Sequence, residues 1–143
     1  MKRRITNWKQ DFPIHEEAED FAGLQRSFVI DCHEGPLGYT VRASEAGENG
    51  LGFEFASYSE TSPYAALGRV RDKMARGLAT RHLSSAKGPA ELLHDSLDGR
   101  ISSRDGEVVV VVDGIALDID DLARFLAARE GWGFRLRITD PLE

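Results

Sequence analysis

Residues 107–140 constrain the fold more than any other stretch of this 143-residue chain. Positions 108–112 are five consecutive valines. Their crowded χ1 disfavours helix and suits a strand buried on both faces. Asp113-Gly114 follows, a pair suited to positive φ at both centres of a type I′ hairpin turn. Ile115, Ala116 and Leu117 make a short return strand. Asp118 then caps a helix over 118–130 through its side-chain oxygen, with Asp120 and Asp121 favouring its positive end. Ile119, Leu122, Phe125 and Leu126 form the apolar stripe, and Gly131 the left-handed closure. Over 133–139, Phe134, Leu136 and Ile138 alternate with Arg135 and Arg137. That predicts a final strand with its apolar side inward. Folding accounts for nearly every residue here, so the stretch specifies architecture and leaves little for chemistry.

The first half carries the same kind of information. Residues 27–33, 38–44 and 51–55 alternate with period two, which predicts three strands of a sheet covered on one side. Phe28, Ile30 and Cys32 share one face of the first, Tyr39, Val41 and Ala43 one face of the second, and Leu51, Phe53 and Phe55 one face of the third. Ser62 before Pro63 is an N-cap followed by proline at the first helical position. Leu67, Val70, Met74 and Leu78 recur as one apolar stripe, which predicts a covering helix ending near 81–83. Upstream, Pro13 precedes a short helix over 15–24, or a flexible arm.

The expected class is α+β: antiparallel sheet, in one piece or two, with helices packed on one face. Its order is β-β-β-α followed by β-β-β-α-β. The parts are an arm or short helix over 1–25, a β-β-β-α half over 26–83, a linker over 84–90, a hairpin, helix and strand half over 91–140, and a tail over 141–143. The Ser-Ser-Ala-Lys-Gly-Pro run marks the linker. A short helical turn over 90–97 and a strand over 99–103 follow it.

Composition narrows the function classes. With 41% hydrophobic and 29% charged residues the chain reads as an ordinary soluble domain. No window reaches the roughly 18 apolar residues of a membrane span. The start has no apolar run behind its basic residues, so the expected location is the cytoplasm. A single cysteine excludes an internal disulfide and a cysteine-rich zinc site. The net charge of −6 argues against general nucleic-acid binding, although the charges are unevenly placed.

Few residues suggest chemistry. Asp31, His33 and Glu34 surround Cys32, but on a strand Cys32 points away from Asp31 and His33 and belongs with the core. Asp31, His33, Glu34 and His94 are therefore kept as a candidate polar site. His94-Asp95, with His82 as a partner, could do acid–base work, yet no nucleophile stands in a recognisable frame. Asp118, Asp120 and Asp121 lack the later ligands of a calcium loop. No catalytic residue, metal or cofactor is implied. Arg69, Lys73 and Arg76 occupy a sector of about 60° on an ideal helix. With Trp132, Arg135 and Arg137 they make the candidate interaction surface.

The pattern Leu97-Asp98-Gly99-Arg100-Ile101, then Val112-Asp113-Gly114, then Arg129-Glu130-Gly131-Trp132-Gly133-Phe134, resembles a small bacterial domain of unknown function. The resemblance covers about 66–140, and it implies no activity. The β-β-β-α order of the first half is similar in topology to HicB-type antitoxins. The expected role is a non-enzymatic protein–protein interaction or regulatory module, as a homodimer or with another protein. The alternatives are an antitoxin-like regulator of a basic partner or nucleic acid, and a small-molecule binder or hydrolase.

Overall fold

The computed structural model describes residues 7–84 and 89–143, so most of the expected linker lies outside the described residues. The fold is α+β with two antiparallel sheets. The first contains β1 (Ile14–Glu19), β2 (Gln25–Gly35), β3 (Gly38–Glu45) and β4 (Glu54–Ser59), in that spatial order. Helix α1 (Pro63–Ala79) lies across one face. Its Ala66, Leu67, Val70, Met74 and Leu78 bury against Phe28, Ile30, Val41 and Ala43. Each large side chain contributes about 1.5–3 kcal/mol on full burial. Ser62 Oγ accepts the Tyr64 N–H at 3.1 Å, as the Ser-Pro signal requires.

The second sheet contains β5 (Arg100–Arg104), β6 (Glu107–Val112) and β7 (Ile115–Leu117), followed by α2 (Ile119–Ala127). Asp113 and Gly114 take φ of 54° and 76°, the two positive values of the expected turn. Asp118 Oδ1 accepts the Asp121 N–H and Asp121 Oδ2 accepts the Asp118 N–H, a reciprocal cap. Phe125, Val112, Leu117 and Leu83 form the core here. The valine strand is buried on both faces except at Val108, which is 54% exposed.

The two sheets touch at the Gly50–Phe53 region. Arg100 Nη2 donates to the carbonyls of Gly50 and Gly52 at 2.7 and 3.0 Å. A Cβ on Gly114 would stand 2.8 Å from the Phe53 ring, so this turn needs glycine for space as well as for φ.

Several expectations are corrected. Residues 14–19 form a strand rather than a helix: Ile14, Glu16 and Ala18 turn inward in alternation while β1 pairs with β2. The fourth strand starts at Glu54, after Leu51 has been used in a turn. No helix forms over 90–97. Leu83 and Leu92 bridge instead, with Ser84 and Leu93 donating to the carbonyls of Glu91 and His82. Helix α2 stops at Ala127, because Arg129 and Trp132 donate to carbonyls three residues back in tight turns. Its Ile119 and Leu126 stay exposed.

The largest correction concerns 133–139. This stretch belongs to no helix and pairs with no strand among the described residues. Trp132 is 64% exposed, Phe134 85%, Leu136 78% and Ile138 74%, and the arginines between them are exposed too, so neither side of the alternation is buried. The chain does not return to the β5–β7 sheet. It runs to α1, where Lys73 Nζ donates to the carbonyls of Pro141 and Glu143 at 2.9 and 2.6 Å.

Candidate functional site

The chemistry-bearing residues gather in a cleft between α1 and the second sheet. His82 lines it, and behind His82 lies Asp113, buried in the turn between β6 and β7. Asp113 Oδ2 accepts the backbone N–H groups of His82 and Leu83, both at 2.8 Å. Its Oδ1 lies 2.9 Å from His82 Nδ1. A carboxylate can only accept here, so Nδ1 carries the proton and Nε2 is left for other partners. Asp98 Oδ2 lies 3.6 Å from Nε2, on a side chain that is almost wholly exposed.

The cleft encloses about 800 Å³, and Lys73, Arg76, His82, Asp98, Arg137 and Phe55 line it. Lys73 is already engaged: besides the two tail carbonyls, its ammonium donates to Ala56 O at 2.7 Å. Burial, with the charges of Arg69 and Arg76 beside it, pulls the Lys73 pKa below its ordinary value. Arg69 donates to Ser57 Oγ and to Tyr58 O at 2.6 Å. Ala56 and Tyr58 belong to β4, an outer strand of its sheet. Arg69 and Lys73 thus cover two carbonyls of that strand, which blocks further pairing there.

Arg76 and Arg137 differ. Ion pairs among the described residues use Arg26, Arg42, Arg71, Arg100, Arg124 and Arg129. Arg76 and Arg137 enter none of them, as is also true of Arg69, Arg81, Arg104 and Arg135, but these two line the cleft with guanidiniums that make no hydrogen bond among the described residues. Arg76 also sits in the last turn of α1, where a cation suits the helix dipole; Arg137 has no such role.

The other candidates are dispersed. Asp31 and His33 share the open face of the first sheet with Thr40, Arg42 and Ser44, around a shallow cavity of about 450 Å³ that Leu142 also lines. Glu34 lies at the far end of β2, across from Tyr39, whose hydroxyl pKa its charge raises. Cys32 is half-buried against the α1-side core, and burial, then the Glu34 charge, pushes its thiol up. His94 is exposed in the second half, and its neighbour Asp95 pairs with Arg129 at 3.2 Å instead. Trp132 and Arg135 are exposed on the unpaired segment. Among the described residues no group of three or more His, Cys, Asp or Glu stands close enough to hold a metal.

The His82–Asp113 pair was missed from sequence. Asp113 is fully explained by its turn, and nothing local points from it to a histidine 31 positions away.

Comparison with known families divides the chain where α1 ends. The chain is similar to two domains of unknown function. Residues 10–79 match one (DUF7686) and residues 82–143 the other (DUF7713). The DUF7686 match holds the first sheet with α1, and the DUF7713 match holds the second sheet, α2 and the unpaired segment. The resemblance to an uncharacterised domain is therefore met. The likeness to HicB-type antitoxins gains no support, and the first half has four strands before its helix rather than three. No curated protein and no solved structure matches the chain. No helix among the described residues is long and apolar enough to cross a membrane.

Proposed function

We propose that this chain is a non-enzymatic protein–protein interaction module of the bacterial cytoplasm, and that it pairs with a second copy of itself through residues 133–139. One observation carries the reading: a segment of alternating apolar and basic residues, in no helix and without a partner strand among the described residues, holds Phe134, Leu136 and Ile138 out to solvent. Strand addition takes up such a segment, with main-chain bonds for affinity and alternate side chains for selectivity.

The occupant follows from the pattern itself. Phe-Arg-Leu-Arg-Ile is symmetric about Leu136. Two antiparallel copies centred on Leu136 set Phe134 against Ile138 and Leu136 against Leu136, so a twofold axis puts apolar on apolar at every such position. Three cross-strand apolar pairs at about 0.2–1 kcal/mol each, together with the main-chain bonds, stand against an association cost of about 4–15 kcal/mol, so the dimer is weak and reversible.

Light scattering after chromatography tests this. The full chain should give about twice its 15.8 kDa mass, and Leu136→Asp should return it to one copy with unchanged circular dichroism. A wild-type monomer at high micromolar concentration would refute self-pairing.

The antitoxin-like alternative draws on the basic face of α1. Two of its three cations, Arg69 and Lys73, spend donors on the carbonyls of β4. That weighs toward the interaction reading.

A further inference from the structure

We infer that the cleft between α1 and the second sheet is a binding site for a small phosphorylated organic molecule, held at its phosphate by Arg76 and Arg137 with His82 Nε2 beside them. Nothing in this rests on self-pairing of 133–139. That reading uses the apolar side chains of the segment, whereas Arg137 alternates with them and lines the cleft.

The chain has 24 acidic residues against 18 lysines and arginines. Carboxylates are in excess, yet two guanidiniums line one cleft without an ion pair among the described residues. A third cation, Lys73, lines it as well, with its donors spent on carbonyls. Like charges held together disfavour one another, and a multivalent anion relieves that cost.

Asp113 fixes the His82 ring from behind with a 2.9 Å contact and a clamp on the adjoining backbone. That leaves Nε2 as a positioned polar atom rather than a mobile one. Planar guanidinium forks match phosphate oxygens. Nε2 accepts from a phosphate that keeps a proton, or donates once the ring is protonated.

The cleft is open to solvent, and its volume of about 800 Å³ exceeds what a bare phosphate fills. Phe55 and Leu97 give part of the lining an apolar character suited to an organic body. One acid, Asp98, opposes the anion. Its exposed side chain is free to swing away, and its charge makes the proposal sharply testable.

The experiment is an NMR titration of the full, isotope-labelled chain with adenosine 5′-monophosphate, alongside adenosine and inorganic phosphate. The expected result is saturable shifts at the Gly77 and Gly99 amides and at the Arg76 and Arg137 side chains. Adenosine alone should give none of these, and inorganic phosphate should bind at least tenfold more weakly. Arg76→Gln and Arg137→Gln should each weaken binding about tenfold, and Asp98→Asn should tighten it several-fold. The monomeric Leu136→Asp variant should still bind, which separates this inference from the dimer. No shift at millimolar nucleotide, nucleotide binding no tighter than inorganic phosphate, or binding indifferent to both arginine variants would overturn it.

Discussion

Asp113 and His82 are 31 positions apart in sequence and 2.9 Å apart in space. The residue whose positive φ makes the hairpin turn between β6 and β7 holds, through its carboxylate, the chain leaving α1. It therefore ties the DUF7713 match's sheet to the start of that match at residue 82. Asp113→Ala strips three hydrogen bonds and sets a Cβ residue without a side-chain acceptor at φ 54°. Unpaired buried N–H groups cost about 1–3 kcal/mol each, so the loss should reach about 2–4 kcal/mol. Asp113→Asn keeps one acceptor and tolerates the turn, and should cost about 1 kcal/mol. Urea unfolding of both variants checks the order.

Lys73 joins three backbone carbonyls from two distant segments. Lys73→Met keeps the stem and removes the donors. Leu142 and Glu143 should then exchange amide hydrogens faster, and the β4 edge should become more prone to self-association. Hydrogen exchange read by mass spectrometry, with turbidity on heating, measures both effects. Unchanged exchange in the tail would mean that Lys73 does not hold it.

Asp20 is buried and accepts from Arg26 Nε at 2.8 Å and from the N–H groups of Leu24 and Ala22. Burial pushes its carboxyl up, but these bonds outweigh burial and hold it below the ordinary value of 3.8. A group with a depressed folded pKa stabilises the fold above its unfolded pKa and loses that contribution as pH falls through the folded one. Asp121 shifts the same way, chiefly through the Asp118 backbone and Arg124. Stability should therefore hold above about pH 4 and fall below it. Asp20→Asn should be less stable than wild type at pH 7 and differ little near pH 2. Thermal melts across pH decide this; a constant gap between the two would count against the linkage.

Centring the dimer on Leu136 sets Arg135 across from Arg137 twice. Opposed like charges cost a few tenths of a kcal/mol per pair and are screened by salt. The dimer should tighten about two- to fivefold between low and physiological ionic strength. Arg135→Glu should reverse the trend by making two opposite-charge pairs. Sedimentation equilibrium at several salt concentrations reads both.

The parts of the fold legible in sequence were those written locally. The Ser62-Pro63 start of α1, the Asp113-Gly114 turn and the Asp118 cap each need only neighbouring residues, and all three form. Strand β1 was missed because Glu16, Glu17, Glu19 and Asp20 read as an acidic helix start, while its pairing with β2 is a tertiary fact. The 133–139 alternation is correct as a pattern. Pattern fixes neither a partner nor whether either side is covered, and here both sides are exposed. The cleft was least legible. It draws on α1, on His82, on the turn before β5 and on the last segment, which no spacing connects.

Hydrogen exchange at residues 133–139, followed at two protein concentrations, tests the central claim most directly. Self-pairing predicts that the amides of 134–138 are protected at high concentration and lose that protection on dilution, while those of β2 and β3 do not change. Rapid exchange of 134–138 at every concentration would contradict it.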